Sequence, residues 1–236
     1  MNATWPTRRY PVGVSRPAHP LLRYEQHLFD RGDVVVGIDE VGRGALAGPL
    51  IVGAVVLVER EPPPPGLADS KRLNAHQREA LVGPLRDWCS DWSLGSVSSK
   101  EIDEWGLRLA LGVAATRALD GLVVRPTHAL IDGSFNLLRA PLGVALGVEP
   151  PPALRYDSLA HTTVVKGDAT CASIAAASVL AKVHRDDEMV RLHDELDVYG
   201  WARNKGYGVP AHLAALRTYG PSAYHRRTWS LPGQLP

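Results

Sequence analysis

Three β-rich runs of this chain each end on an acidic residue beside glycine, and a fold that buries those runs has to account for the charges. Val34-Val35-Val36-Gly37-Ile38 runs into Asp39-Glu40, Leu130-Ile131 into Asp132-Gly133, and Val164-Val165 into Lys166-Gly167-Asp168. A carboxylate at the end of a buried strand is costly unless it is paired, hydrogen-bonded or bound to a cation. One such acid is ordinarily a turn residue or a helix cap. Three are better explained by convergence: if the strand ends meet, four carboxylates share one pocket and their repulsion demands a metal. Hard oxygen donors, with no His or Cys at metal-ligand spacing, favour Mg2+ or Mn2+ over zinc. Asp39 and Glu40 add a constraint, because neighbours on a strand point to opposite faces. The strand is therefore expected to end or bend there, with Gly42 and Gly44 supplying a turn.

The remaining pattern places these runs in one architecture. Residues 50–58 read as a second strand, antiparallel to the first across a short link. Asn74 caps an expected helix reaching about residue 89, which Gly83-Pro84 is expected to kink or split. Residues 92–97 read as a third strand. Beyond them helices alternate with single strands: a helix over 107–119, strands over 127–131 and 162–165, an Ala-rich helix over about 171–197, and a helix over 211–219 with Pro210 in its first turn. A meander followed by strands separated by helices implies an α/β fold, a mixed sheet flanked by helices. We divide the chain into an N-terminal arm (1–33, Pro-rich and aperiodic to about residue 20), a catalytic domain (34–200) and a small C-terminal helical extension (201–236) that binds substrate.

With 236 residues and 45% hydrophobic content the chain can build one substantial core. A net charge of +1 identifies no partner. The two cysteines, Cys89 and Cys171, lack metal-binding spacing and imply no disulfide framework, as in a reducing cytoplasm. Arg8 and Arg9 are followed by Pro11 and polar residues rather than a signal-peptide core. The most apolar run, 45–58, is broken by Gly48, Pro49 and Gly53 and is too short for a bilayer. A soluble, cytoplasmic, monomeric protein is expected. His128, His161 and His184 lack metal-site spacing, and Trp88, Trp92, Trp105 and Trp201 read as packing residues.

Asp39-Glu40-Val41-Gly42-Arg43-Gly44 resembles the signature of the ribonuclease HII family, and further blocks follow in order. These are Asp69-Ser70-Lys71-Arg72-Leu73, with Arg72 where lysine is more usual, then Ile131-Asp132-Gly133 and Val164-Val165-Lys166-Gly167-Asp168. The helix segment from Ala175 through Ser178 and Lys182 to Asp186, Lys205-Gly206-Tyr207-Gly208, and His225-Arg226-Arg227 complete the match. The resemblance spans roughly residues 34–229.

It implies an RNase H-like fold and a catalytic, metal-binding quartet of Asp39, Glu40, Asp132 and Asp168. The implied reaction is hydrolysis on the 5′ side of a ribonucleotide, in RNA/DNA hybrids or in ribonucleotide-containing duplex DNA, leaving 3′-hydroxyl and 5′-phosphate ends. Its implied uses are ribonucleotide and RNA-primer removal. One metal would lower the pKa of the attacking water and another would stabilise the leaving oxygen. By the same resemblance, the Gly42-Arg43-Gly44 turn and Tyr207 sense the 2′-hydroxyl, the group that separates RNA from DNA. Lys71, Arg72, Lys166, Lys182, Arg185, Lys205, Arg226 and Arg227 are candidate phosphate contacts, a basic rim around an acidic centre. A junction resolvase or transposase-like nuclease would share the acids without needing a ribose sensor. A non-catalytic nucleic-acid module should have basic strand ends, and a generic metal-dependent phosphatase would accept small esters.

Overall fold

The computed structural model describes residues 22–58, 61–139 and 156–233. The Pro-rich stretch over 1–20 lies outside the described residues. Five strands form one sheet: β1 (Val35–Val41), β2 (Leu50–Leu57), β3 (Asp91–Val97), β4 (His128–Asp132) and β5 (Ala160–Val164), in the order β3-β2-β1-β4-β5. The first three make an antiparallel meander, and β4 and β5 add in parallel on the other side of β1. This is the mixed α/β sheet expected from the sequence.

Helices cover both faces. α1 (Arg23–Phe29) precedes the sheet, and α2 (Ala75–Trp88) follows β2. α3 (Ser99–Trp105) and α4 (Leu107–Asp120) follow β3, and α5 (Ala172–Glu195) follows β5. The short α6 (Trp201–Asn204) and α7 (Pro210–Tyr219) close the chain. Alternation along β1 and β2 sorts the core: Val36, Ile38, Val52 and Ala54 pack with α4 residues such as Leu111 and Ala114. On the other face, Val55 and Leu57 pack with Ala172, Ala176 and Val179 of α5.

α5 lies very close to the sheet. A Cβ on Gly37 would sit 2.2 Å from the Ser173 carbonyl carbon, and one on Gly53 would sit 2.5 Å from the Ala177 oxygen. Bare backbone on the strands and the small residues of the Ala-rich helix permit this approach, which brings Ser178 to the end of β1.

Two sequence expectations need correction. β1 does not end at Asp39; it stays paired with β2 through Glu40↔Val52 and Val41↔Ile51. α2 is not split at Gly83-Pro84, but runs unbroken from Ala75 to Trp88 with Pro84 inside. Asn74 starts it with a reciprocal capping box to Gln77, and Leu81 and Leu85 hold it against α5, so packing outweighs the missing backbone bond.

Candidate active site

The carboxylates collect where the parallel half of the sheet stops. Pairing between β1 and β4 ends at Ile38↔Ile131, so the last residues of β1 border an open edge beside Asp132. A cavity of about 250 Å³ occupies that edge. Asp39, Glu40 and Asp132 line it, with Gly42, Arg43, Gly44, Lys71, Lys182 and Tyr207. Asp39 follows Val35 and Gly37 onto the α5 face, while Glu40 follows Ile38 onto the other. Both reach one cavity because it wraps around the free edge of the strand, so no bend is needed.

Each acid has its own environment. Asp39 is 5% exposed; burial, opposed by a hydrogen bond from Ser178 and reinforced by the charges of Asp132, Glu40 and Asp168, holds its carboxyl well above the usual range. Its Oδ1 accepts the Glu40 N–H at 2.9 Å, and Ser178 Oγ lies 2.7 Å from Ser70 Oγ. Glu40 is also raised by burial, against the pull of Arg43, whose Nη1 stands 3.3 Å from Oε1. Asp132 is raised by burial and by Asp168, although its Oδ1 accepts the Gly167 N–H at 2.7 Å. Asp168, in the tight turn Gly167–Ala169 entering α5, binds Lys71 Nζ at 2.7 Å. Burial weakens that ammonium, but the Asp168 carboxylate more than offsets it and raises Lys71.

Asp39, Glu40 and Asp132 thus meet at the cavity, and Asp168 acts on it through its charge and Lys71. Among the described residues no three acidic, His or Cys side chains stand close enough together to hold an ion as they are. Like charges in a poorly solvated site keep apart unless cations draw them together, and Lys71 already supplies one positive charge.

The turn after β1 combines two kinds of glycine. Gly42 has φ +86°, and a Cβ there would lie 2.2 Å from Arg185 Nε, so the protein itself requires glycine. At Gly44 a Cβ would meet nothing within 4 Å; no packing demands glycine, and its bare backbone faces the cavity. Tyr207 also lines the cavity, its ring 5.4 Å from the Arg185 guanidinium carbon.

The family model described as Ribonuclease HII matches residues 36–231. The chain belongs to the ribonuclease HII family. It is 43% identical over 203 residues to ribonuclease HII of Streptomyces avermitilis, covering 86% of this chain and 79% of that protein. To ribonuclease HII of Burkholderia mallei it is 40% identical over 224 residues, 95% of this chain and 94% of the relative. The crystal structure of the ribonuclease H2 from Pyrococcus horikoshii OT3 superposes with a TM-score of 0.61 at 28% identity, over 84% of this chain and 94% of that one. The protein is accordingly an endonuclease of the ribonuclease H type, a hydrolase with the RNase H fold. Among the described residues no helix is long and apolar enough to cross a membrane.

Against that background, the basic residues of this ribonuclease HII family member divide. Lys71 and Lys182 line the cavity, Lys182 Nζ also binding Asp186 at 2.6 Å. Arg72, Lys166 and Arg227 are exposed and Lys205 is half-buried, none of them lining that cavity. Arg185 and Arg226 are not rim residues, because both are fully buried. Arg185 donates to the carbonyls of Pro49, Lys205 and Ala47 at 2.8–3.1 Å. Arg226 donates to those of Arg43 and Gly42 at 2.8 and 2.6 Å. These guanidinium groups clamp the Gly-Arg-Gly turn itself and the backbone that follows it. Arg226→Ala should therefore lower stability by several kcal/mol, since each hydrogen bond from a charged group is worth roughly 1.5–3 kcal/mol and two are lost, although the Gly42 carbonyl keeps the Ala45 N–H. Arg227→Ala should leave the urea midpoint unchanged and weaken duplex binding. Equal midpoints for the two variants would contradict the clamp.

Residues given no role from sequence also matter. Ser70 and Ser178 form the hydroxyl pair beside Asp39; a serine among the alanines of α5 was the available signal. Phe135 packs its ring 5.4 Å from the Arg43 guanidinium carbon, and no pattern marked it.

Proposed function

We infer that the enzyme hydrolyses the phosphodiester on the 5′ side of a ribonucleotide within duplex DNA or an RNA/DNA hybrid, leaving 3′-hydroxyl and 5′-phosphate ends. One observation carries this reading: a single cavity is lined by three acids of the quartet together with the Gly42–Gly44 turn and Tyr207. We place the phosphate over the carboxylates and its neighbouring sugar at the turn and the tyrosine.

The donor set suits Mg2+ or Mn2+. Every candidate ligand is an oxygen, and the mutual repulsion of Asp39, Glu40, Asp132 and Asp168 is what hard divalent cations relieve. Asp39, Glu40 and Asp132 would hold the cations, with Asp168 completing the set. Bound there, they supply Lewis acidity and charge neutralisation at the scissile phosphate. The chain's own residues do the rest. Ser178 orients Asp39, Gly167 N–H orients Asp132, and Lys71 and Lys182 add positive charge near the phosphate path. The backbone at Gly44 approaches the ribose, and the Tyr207 hydroxyl can complete the hydrogen bonding of the 2′-OH. The C-terminal segment from residue 201 contributes Tyr207 and the exposed Arg227, and we assign it to substrate binding.

Two duplexes of identical sequence, one all-DNA and one with a single ribonucleotide, test the reading in Mg2+ or Mn2+ buffer. Only the second should be cut. Equal cutting of both would favour a resolvase-like nuclease, whose site has no use for a ribose sensor.

A further inference from the structure

A buried polar chain behind Tyr207 has no part in the chemistry above. His212 and His225 are 0% and 1% exposed, and their Nε2 atoms lie 3.0 Å apart. The Ser222 N–H donates to His225 Nδ1 at 3.0 Å, so the proton of a neutral ring sits on Nε2. That N–H points at His212 Nε2, which also receives the Trp201 Nε1–H at 3.2 Å. His212 then carries its proton on Nδ1 and donates it to the Tyr207 carbonyl at 3.0 Å. For two neutral rings, any other assignment sets N–H against N–H or a lone pair against the carbonyl oxygen. Burial lowers both imidazoles, His225 to about 4, which keeps the rings neutral at pH 7.

The chain ends where the backbone needs holding. Lys205, two residues before Tyr207, has φ +51°, and a left-handed residue other than glycine persists only where its surroundings fix it. Its other end joins the opposite half of the ribose reader. His225 bridges Ala47, and the next residue, Arg226, holds the carbonyls of Gly42 and Arg43.

We propose that His212 and His225 are positioning residues that set Tyr207 against the Gly42–Gly44 turn through the bond from His212 Nδ1 to the Tyr207 carbonyl. The proposal rests on the reading of Tyr207 as a sugar contact. His212 touches no substrate and acts only through Tyr207.

A mutant cycle separates that role from general support of the fold. Asparagine at 212 can place an N–H near the Nδ1 position, whereas glutamine places its amide near Nε2 and lacks the donor. On a duplex with one ribonucleotide, His212→Gln should lower kcat/KM roughly tenfold, as for one lost hydrogen bond, and His212→Asn should recover most of it. In a Tyr207→Ala background the same glutamine change should cost less than about twofold. Affinity for an all-DNA duplex should not move. Equal cost of His212→Gln in both backgrounds, or no advantage of asparagine, would overturn the proposal. Should His212→Gln fail to fold, His225→Leu goes through the same cycle with the same two criteria for the Tyr207 background and for all-DNA affinity. A Tyr207→Ala enzyme with normal kcat/KM would instead defeat the reading of Tyr207 itself.

Discussion

Asp39→Asn should lower kcat/KM by more than the roughly 10- to 100-fold that loss of an outer-shell metal partner costs, while making the metal-free protein more stable at pH 7. The activity loss follows from removing one of the charges that draw cations to the cavity. The stability gain follows from burial and from the neighbouring charges of Asp132, Glu40 and Asp168, which make the folded protein hold the Asp39 proton more tightly than the unfolded chain does. A raised carboxyl contributes stability that is complete below its unfolded value, near the ordinary 3.8, and lost as pH rises through the folded value. As pH rises above the unfolded value the wild type loses that contribution, whereas the neutral asparagine has no equivalent cost. The difference between variant and wild type should therefore shrink as pH falls toward 4. Urea titrations in EDTA at pH 7 and pH 4.5, paired with cleavage assays, check both halves. A folded Asp39→Asn enzyme with near-normal cleavage would remove Asp39 from the site.

Tyr207→Ala should lose between about 5- and 150-fold in kcat/KM on a duplex with a single ribonucleotide, the equivalent of a buried hydrogen bond worth roughly 1–3 kcal/mol. Tyr207→Phe should lose less, because the ring still packs beside the Arg185 guanidinium. A long RNA/DNA hybrid offers many registers and should suffer less from either change. Neither variant should alter the stability as Arg226→Ala does, since Tyr207 is only partly buried. Small and equal losses on both substrates would show that Tyr207 is a packing residue and that the junction is read elsewhere.

What the sequence conveyed well was charge against pattern. An acid at the end of an apolar run conflicts with its surroundings, and three such conflicts pointed at the strand ends that line or flank one cavity. The sheet was legible for the same reason, because alternation and short links define a meander and helical spacing defines the crossovers. α3 was missed although Ser98 and Glu101 spell a capping box that the structure forms. α1 and α6, of 7 and 4 residues, carry too few apolar positions to show a period.

Arg185 and Arg226 misled for a physical reason. Residue type argues for solvent, whereas both guanidinium groups satisfy backbone carbonyls that irregular loops leave unpaired. Arg185 was the more readable of the two. It shares a helical stripe with Ala181, Met189 and Leu192, all buried on α5, and an arginine on an apolar stripe is a buried arginine. His212 and His225 gave no such sign, since the contact between them depends on how the C-terminal segment folds back on Ala47.

In this reading one cavity both cuts the strand and reads the sugar. Mapping the cleavage site on a labelled duplex with one ribonucleotide, at nucleotide resolution, tests it most directly. A single metal-dependent cut is expected at the phosphodiester 5′ to the ribonucleotide, with a 3′-hydroxyl on one fragment and a 5′-phosphate on the other, absent with Asp39→Asn. A cut 3′ to the ribonucleotide, cuts scattered through the DNA, or a cut that survives EDTA would contradict it.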